Sequence, residues 1–214
     1  MVHALPVRRG PRSVTDVDLY LNFALHAILG RLGEADALMS IASDEIRAVA
    51  DRLAALHPIT TQPLYRGMLL DPDKTFAADP KLTFLSWSED RDVALWFACP
   101  RSVVSEPLAA TNPKLRGYLV DLTAPQSRVL FHHGWTRARG GLGALPALAR
   151  THPLMGEEGA RQIEWSLRTQ HEVITAPVDG LAPKSTADLD AAALVVLERR
   201  LSPPWVVETE GIRS

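Results

Sequence analysis

The 214-residue sequence lacks three features that would place a protein in a class at once. Its single cysteine, Cys99, excludes an internal disulfide and is typical of a reducing compartment. No run of about 18 apolar residues occurs, the length that a transmembrane helix needs, so we expect no membrane partner. The formal net charge is only −2, which excludes a global electrostatic attraction to nucleic acid or to an anionic membrane.

Other familiar patterns are absent as well. No Gly-x-Gly-x-x-Gly follows a strand-like run, which argues against a Rossmann dehydrogenase, and no Gly-x-Ser-x-Gly supports a serine hydrolase. Arg8, Arg9 and Arg12 are not followed by an apolar run before Asp16, so the start of the chain does not have the pattern of a signal peptide. We therefore expect a cytoplasmic protein, or one delivered into the cytoplasm of a target cell without such a peptide.

The sequence does contain enough apolar residues for a sizeable core, at 46% of a length that suits one domain with an extension. In residues 1–57 apolar residues recur at helical spacing. This spacing predicts a helical lead-in that packs on the core. The last of its predicted helices starts after Ser43 and stops before Pro58. Residues 58–214 carry short strand-like runs with long connections, and the whole pattern predicts an α+β fold.

Short runs of β-branched and apolar residues predict the strands. They cover residues 63–68, 83–85, 116–122, 128–131 and 172–175. Residues 101–113 are predicted to be irregular. Glycines and prolines predict a long loop over 132–160 with one short helix near 145–150. Ser185 is predicted to cap a closing helix through Leu201, although residues 193–197 would equally suit a strand.

Two serines, Ser86 and Ser88, lie where a predicted strand gives way to a predicted helix. Ser86 with Glu89 three residues later predicts a capping box, and Asp90 and Asp92 fall in the first turn, where the helix dipole favours anions. The apolar residues at the spacing of one helical face are Val93, Ala94, Phe97 and Ala98. Taken alone, the serines indicate a helix cap. Their hydroxyls would also be able to face a cleft.

Three short motifs stand in a set order along residues 63–176. They are Tyr65-Arg66-Gly67 at a strand end, Ser86-Trp87-Ser88 at the strand-to-helix junction, and Gln170-His171-Glu172 at the start of a late strand. With Phe84, Ala94 and Phe97 at matching spacing, this order resembles the Arg–Ser–Glu motif of the cholera-toxin-like mono-ADP-ribosyltransferases. The resemblance implies N-terminal helices followed by a split, mostly antiparallel β-sandwich core. It also implies NAD as a co-substrate, with no metal.

The resemblance implies a role for each motif residue. The Glu172 carboxylate would stabilise the oxocarbenium-like ribose that forms as nicotinamide leaves. The Arg66 guanidinium would bind the pyrophosphate of NAD in a bidentate geometry. Ser86 would hold Glu172 and the ribose in register, while Gln170, on an extended segment, would orient the acceptor from the same side as Glu172. Further NAD-binding candidates are Gly67, which would let the backbone approach the ligand closely, and Tyr65, Ser88 and Phe97.

A second Gln-x-Glu pair, Gln162 and Glu164, precedes the first by eight residues. We favour Gln170 and Glu172 because residues 173–174 continue as a strand. The Gln-x-Glu motif resembles that of family members whose acceptor is not arginine. The expected acceptor is therefore another protein side chain or a nucleic-acid base.

Residues 114–161 bear on that choice, because they hold seven Lys and Arg against three Asp and Glu. Trp135 stands between Arg128 and Arg137, and basic residues interleaved with an aromatic suit a single nucleic-acid strand. An ordinary solvated loop is the alternative. His132 and His133 suit metal ligation, but no cysteine or carboxylate-rich cluster is spaced to complete a site, so we expect no metal.

The resemblance thus implies a mono-ADP-ribosyltransferase that acts on a macromolecule, and we expect it in a bacterium or a phage. An immunity or antitoxin protein is an expected further partner. One alternative is an NAD glycohydrolase, which would use the same residues with water as the acceptor. Another is a non-catalytic interaction domain that retains the fold.

Overall fold

The computed structural model describes residues 48, 50, 51, 54, 55, 63–73, 85–123, 129–138, 141–151, 155–175, 180–186 and 189–203. Within these residues the elements are β1 (Leu64–Leu70), β2 (Leu85–Ser88), α1 (Arg91–Ala98), α2 (Glu106–Thr111), β3 (Arg116–Leu122), β4 (Val129–His132), α3 (His133–Ala138), α4 (Gly141–Thr151), α5 (Gly156–Thr169), β5 (Glu172–Thr175), β6 (Lys184–Ser185) and α6 (Ala191–Leu201). This mixture confirms the predicted α+β class. No helix in the described part of the chain is long and apolar enough to cross a membrane.

All the described strands form one antiparallel sheet in the order β4-β5-β2-β1-β3-β6. A second sheet, as the predicted sandwich requires, is not seen among the described residues. The strands that carry the three motifs, β1, β2 and β5, are neighbours in this sheet. Backbone pairing therefore brings together motifs that are far apart in the sequence.

Helix α1 packs directly on β1 and β3, and glycines make this close approach possible. A Cβ atom on Gly67 would lie 1.7 Å from the carbonyl oxygen of Ala94, and one on Gly117 would lie 2.2 Å from that of Ala98. No side chain fits at either position while the helix stays where it is. Gly67 thus lets helix α1 pack on β1. This packing role differs from the predicted one, in which Gly67 lets the backbone approach a ligand.

The main core lies between the sheet and the helical segment α3–α5, and a smaller one lies between α1 and α6. Ala50 and Ala54, from the predicted helical lead-in, belong to the main core. Both are helical, as are Ala48, Asp51 and Ala55. The rest of the lead-in lies outside the described residues.

Three local predictions are wrong. The short helix predicted near 145–150 is confirmed as part of α4, but the rest of the predicted loop over 132–160 also contains α3 and the start of α5. The predicted irregular stretch 101–113 contains α2. Within α4, Leu145 and Ala149 are fully buried, and this burial outweighs the poor helix propensity of the neighbouring glycines and of Pro146. The closing helix α6 is capped by Asp190, whose carboxylate accepts from the Ala193 amide, whereas Ser185 lies in β6.

Candidate active site

Residues from the three motifs are joined by hydrogen bonds. The Ser86 hydroxyl donates to Oε1 of Glu172 at 2.6 Å, across 86 residues of sequence. The guanidinium of Arg66 donates from Nη1 to the carbonyl oxygen of Ser86 at 2.7 Å. Arg66, Ser86 and Glu172 therefore form one continuous chain of contacts across β1, β2 and β5.

Ser88 is the second point at which these strands meet. Its Cα lies opposite Tyr65 in β1 and opposite Glu172 in β5, so the three residues form a row across the sheet. The Ser88 hydroxyl donates to the carbonyl oxygen of Gln170 at 2.6 Å and accepts from the amide of Asp90 at 3.0 Å. This one buried side chain fixes the end of α5 and the start of α1 relative to the sheet.

The predicted capping box between Ser86 and Glu89 is wrong. Helix α1 begins at Arg91, and its cap is Asp90, whose carboxylate accepts from the Asp92 amide at 2.9 Å. Ser86 precedes the helix by five residues and lies within β2, so its hydroxyl is directed to the carboxylate on the neighbouring strand. The Ser86 hydroxyl therefore contacts a side chain of β5 and does not cap α1.

The predicted extended conformation of Gln170 is also wrong. Gln170 ends helix α5 with helical dihedral angles, its amide donates to the carbonyl of Ser166, and its Oε1 accepts from the Ser166 hydroxyl at 3.1 Å. His171 then has a left-handed backbone with φ of 46°, which turns the chain into β5. The strand alternation that would direct Gln170 and Glu172 to the same side therefore does not apply.

The alternative pair, Gln162 and Glu164, lies on helix α5 and does not join the contacts of Ser86. Glu164 pairs with Arg168 one turn along the helix at 2.6 Å, and Gln162 donates to Glu158 at 3.3 Å. These are ordinary contacts of an exposed helix face.

Among the other NAD-binding candidates, Phe97 packs in the smaller core. Its ring meets the ring of Trp96 edge-on, with centroids 5.3 Å apart. Tyr65 is half-buried in the central strand β1. Phe84 lies outside the described residues.

A group of four side chains next to the motifs was not predicted from the sequence. The Glu89 carboxylate bridges two histidines, with Oε1 3.1 Å from Nε2 of His132 and Oε2 2.6 Å from Nε2 of His133. The His133 ring stacks on His132 and on His171, at centroid distances of 4.8 and 5.0 Å. The hydrogen bonds from the two histidines hold the pKa of the Glu89 carboxyl far below its usual range. We call these four residues the histidine group.

The histidine group overturns the premise that no carboxylate is placed beside His132 and His133, so a metal has to be considered. Nδ1 of His132 accepts from the amide of Gly134 at 3.0 Å, which puts the ring proton on Nε2, directed at Glu89. A histidine that binds a metal through Nε2 instead donates from its other nitrogen to an acceptor. Nδ1 of His133 is buried and contacts no such acceptor among the described residues. The Glu89 carboxylate thus bridges two histidines, and its oxygens and their ring nitrogens lie within 4.8 Å of one another.

The Glu89 carboxylate also sets a pH dependence of stability. Because the pKa of this carboxyl is lowered in the folded state from 4.5, its contribution is complete above about pH 4.5 and is lost as the pH falls towards the folded-state pKa. Replacing Glu89 by Gln should therefore lower the free energy of unfolding more at about pH 7 than at about pH 3. Urea unfolding of both proteins at the two pH values measures this. A cost that is the same at both pH values would contradict it.

The aromatic residue on which the predicted contact with a single nucleic-acid strand depends is not exposed. Trp135 is 1% exposed and belongs to the main core, so its ring is not available to stack on a base. Arg150 and Arg161 pair with the neighbouring carboxylates of Glu157 and Glu158. Arg128 and Arg139 lie outside the described residues.

No protein-family model, curated protein or solved structure matches this chain.

Proposed function

We propose that the chain is a mono-ADP-ribosyltransferase that cleaves NAD at the nicotinamide–ribose bond and transfers ADP-ribose to a macromolecule. The observation that carries this proposal is the contact chain of Arg66, Ser86 and Glu172, in which a guanidinium, a hydroxyl and a carboxylate meet across three strands. The proposal includes the fold of that enzyme family, in which the described sheet would be the part of the split sandwich that carries the motifs.

Glu172 would act on the ribose. As the glycosidic bond breaks, its electron pair leaves with nicotinamide and positive charge develops on the sugar. A carboxylate that Ser86 holds in one orientation stabilises that charge without having to reorganise. Only 2% of Glu172 is exposed, so its field is weakly screened, and contact with a ribose requires the groups that cover it to move aside.

Arg66 would act on the pyrophosphate. Its planar guanidinium has five N–H donors, and one of its nitrogens donates to the Ser86 carbonyl. A phosphate bound to the same guanidinium would lie close to the strand that carries Ser86. NAD binding and the position of Glu172 would then be coupled through β2.

Replacing Arg66 by Lys tests this role. The substitution keeps the positive charge but removes the fork, so the KM for NAD should rise by about tenfold, with a smaller change in kcat. Steady-state kinetics with varied NAD measures both constants, and a melting curve checks that the variant is folded. The matched control is Arg150→Lys at an exposed ion pair, which should leave KM unchanged. Equal effects of the two substitutions would count against an NAD-binding role for Arg66.

The acceptor completes the reaction. Its nucleophilic atom donates an electron pair to C1′ of the ribose and loses its proton to solvent. We propose a protein side chain other than arginine or a nucleic-acid base, although the burial of Trp135 removes the specific argument for a single strand. With water as acceptor, the same residues would make the chain an NAD glycohydrolase.

Labelled NAD tests the proposal and identifies the acceptor class. The protein is incubated with cell lysate and NAD labelled in the adenylate, and the products are then digested with protease or with nuclease. Label that protease releases indicates a protein acceptor, and label that nuclease releases indicates a nucleic acid. If free ADP-ribose is the only labelled product, the chain hydrolyses NAD and does not transfer ADP-ribose. If NAD remains intact, the proposed enzymatic function is overturned.

A further inference from the structure

The backbone of His171 is strained at the point where the chain enters β5. Its φ of 46° makes it the one non-glycine residue with a positive φ in the described part of the chain. Side chains other than glycine rarely adopt this conformation, and it persists where the surroundings impose it. His171 separates Gln170, which ends α5, from Glu172, which begins β5. The direction in which Glu172 leaves the turn therefore depends on this residue.

Three contacts hold the turn from one side. The Ser88 hydroxyl donates to the carbonyl of Gln170 at 2.6 Å, and the Glu89 amide donates to the carbonyl of His171 at 3.3 Å. The His133 ring stacks on the His171 ring with an angle of 23° between the planes. Both carbonyls and the side chain of the turn are thus fixed by residues outside it.

The side chain of Glu89 fixes the ring that stacks on His171. Its Oε2 lies 2.6 Å from Nε2 of His133, while its Oε1 accepts from His132, whose own ring is held by the Gly134 amide. Glu89 therefore acts on the turn twice. Its backbone amide binds the His171 carbonyl directly, and its carboxylate orients the His133 ring.

We propose that Glu89, His132 and His133 are positioning residues that hold the strained His171 turn and so set the Glu172 carboxylate against Ser86. The inference rests on the proposed function for its kinetic consequences. None of the three residues has to touch NAD, because they act through the backbone that carries Glu172. Their loss should therefore change the chemical step more than the binding of NAD.

Replacing Glu89 by Gln tests the kinetic consequence. The variant keeps the size of the side chain but loses the charge that binds both histidines, so Glu172 should be held less firmly. We expect kcat for NAD turnover to fall by about tenfold or more while the KM for NAD stays within about twofold. The matched control is Glu157→Gln, an exposed carboxylate on α5 that should leave both constants unchanged.

Gly134→Ala tests the same group without changing its charge. A Cβ atom there would lie 2.9 Å from Nδ1 of His132, so the ring has to move, although alanine favours the helix that contains it. We expect a lower kcat in a protein that is no less helical.

A rescue experiment tests whether strain at His171 is the cause. In Glu89→Gln, the second substitution His171→Gly should restore part of the lost kcat, because glycine adopts the left-handed turn without strain.

Hydrogen exchange tests the positioning role without any NAD chemistry. The amide of residue 89 donates to the His171 carbonyl, so its exchange should accelerate by about tenfold or more in His133→Ala or Gly134→Ala and stay unchanged in Glu157→Gln. If the wild type turns over no NAD, the proposed function fails and exchange alone decides the positioning role. Unchanged exchange at residue 89 would overturn the inference, as would an active enzyme in which Glu89→Gln keeps kcat.

Discussion

Replacing Glu172 by Gln should lower the rate of NAD turnover by about 100-fold or more, since removal of one preorganised electrostatic group costs enzymes on the order of 10²–10³ in kcat. The amide keeps an oxygen that accepts from the Ser86 hydroxyl, so the local structure should remain. What is lost is the negative charge beside the developing oxocarbenium ion. The effect should fall on kcat more than on the KM for NAD.

Glu164→Gln is the matched control for this experiment. Glu164 also follows a Gln-x-Glu pattern, but it pairs with Arg168 on the surface of α5. Nicotinamide release by the two variants should therefore differ by about two orders of magnitude under identical conditions. An equal loss of nicotinamide release in both variants, or a larger loss in Glu164→Gln, would show that Glu172 is not the catalytic carboxylate.

Replacing Gly67 by Ala should destabilise the fold by about 3 kcal/mol or more, the upper end of what overpacking costs. The new Cβ would lie 1.7 Å from the carbonyl oxygen of Ala94 and 2.6 Å from its carbonyl carbon. Both atoms belong to the backbone of α1, so no side-chain rotation relieves the clash. Helix α1 would have to move away from β1.

Gly180→Ala separates this clash from ordinary backbone strain. Gly180 has φ of 72°, and a Cβ there would meet nothing within 4 Å. Alanine should cost about 1–2 kcal/mol at that position through the left-handed conformation alone. Urea unfolding of the two variants gives both free energies. A smaller loss for Gly67→Ala than for Gly180→Ala would contradict the close packing of α1 on β1.

Local sequence patterns indicated the elements that carry the motifs. Strand β3 is rich in aromatic and aliphatic residues, and β1 is followed by a turn at Asp71 to Asp73, so both are predictable from residue type and turn residues. The resemblance implied a contact between Ser86 and Glu172. The pairing of β2 with β5 makes that contact possible, and no single motif predicts this pairing.

Long-range contacts explain what the sequence did not predict. The glycines and prolines of residues 132–160 favour a loop with one short helix over 145–150, whereas α4 covers Gly141–Thr151 and buries Leu145 fully. Glu89 suited a helix cap by its spacing, yet it binds histidines 43 and 44 residues away. Similarly, Gln170 suited a strand, but the helix α5 extends to Thr169 and sets its conformation. A distant partner decides the outcome for Glu89, and the preceding helix decides it for Gln170, and the spacing within each motif carries no information about either.

A double-mutant cycle on nicotinamide release tests the central claim most directly, namely that Ser86 and Glu172 act as one site. Rates are measured for the wild type, Ser86→Ala, Glu172→Gln and the double variant. If the hydroxyl acts by orienting the carboxylate, the double variant should be no slower than Glu172→Gln alone, within about twofold. Losses that multiply in the double variant, or a wild type that releases no nicotinamide, would contradict the account.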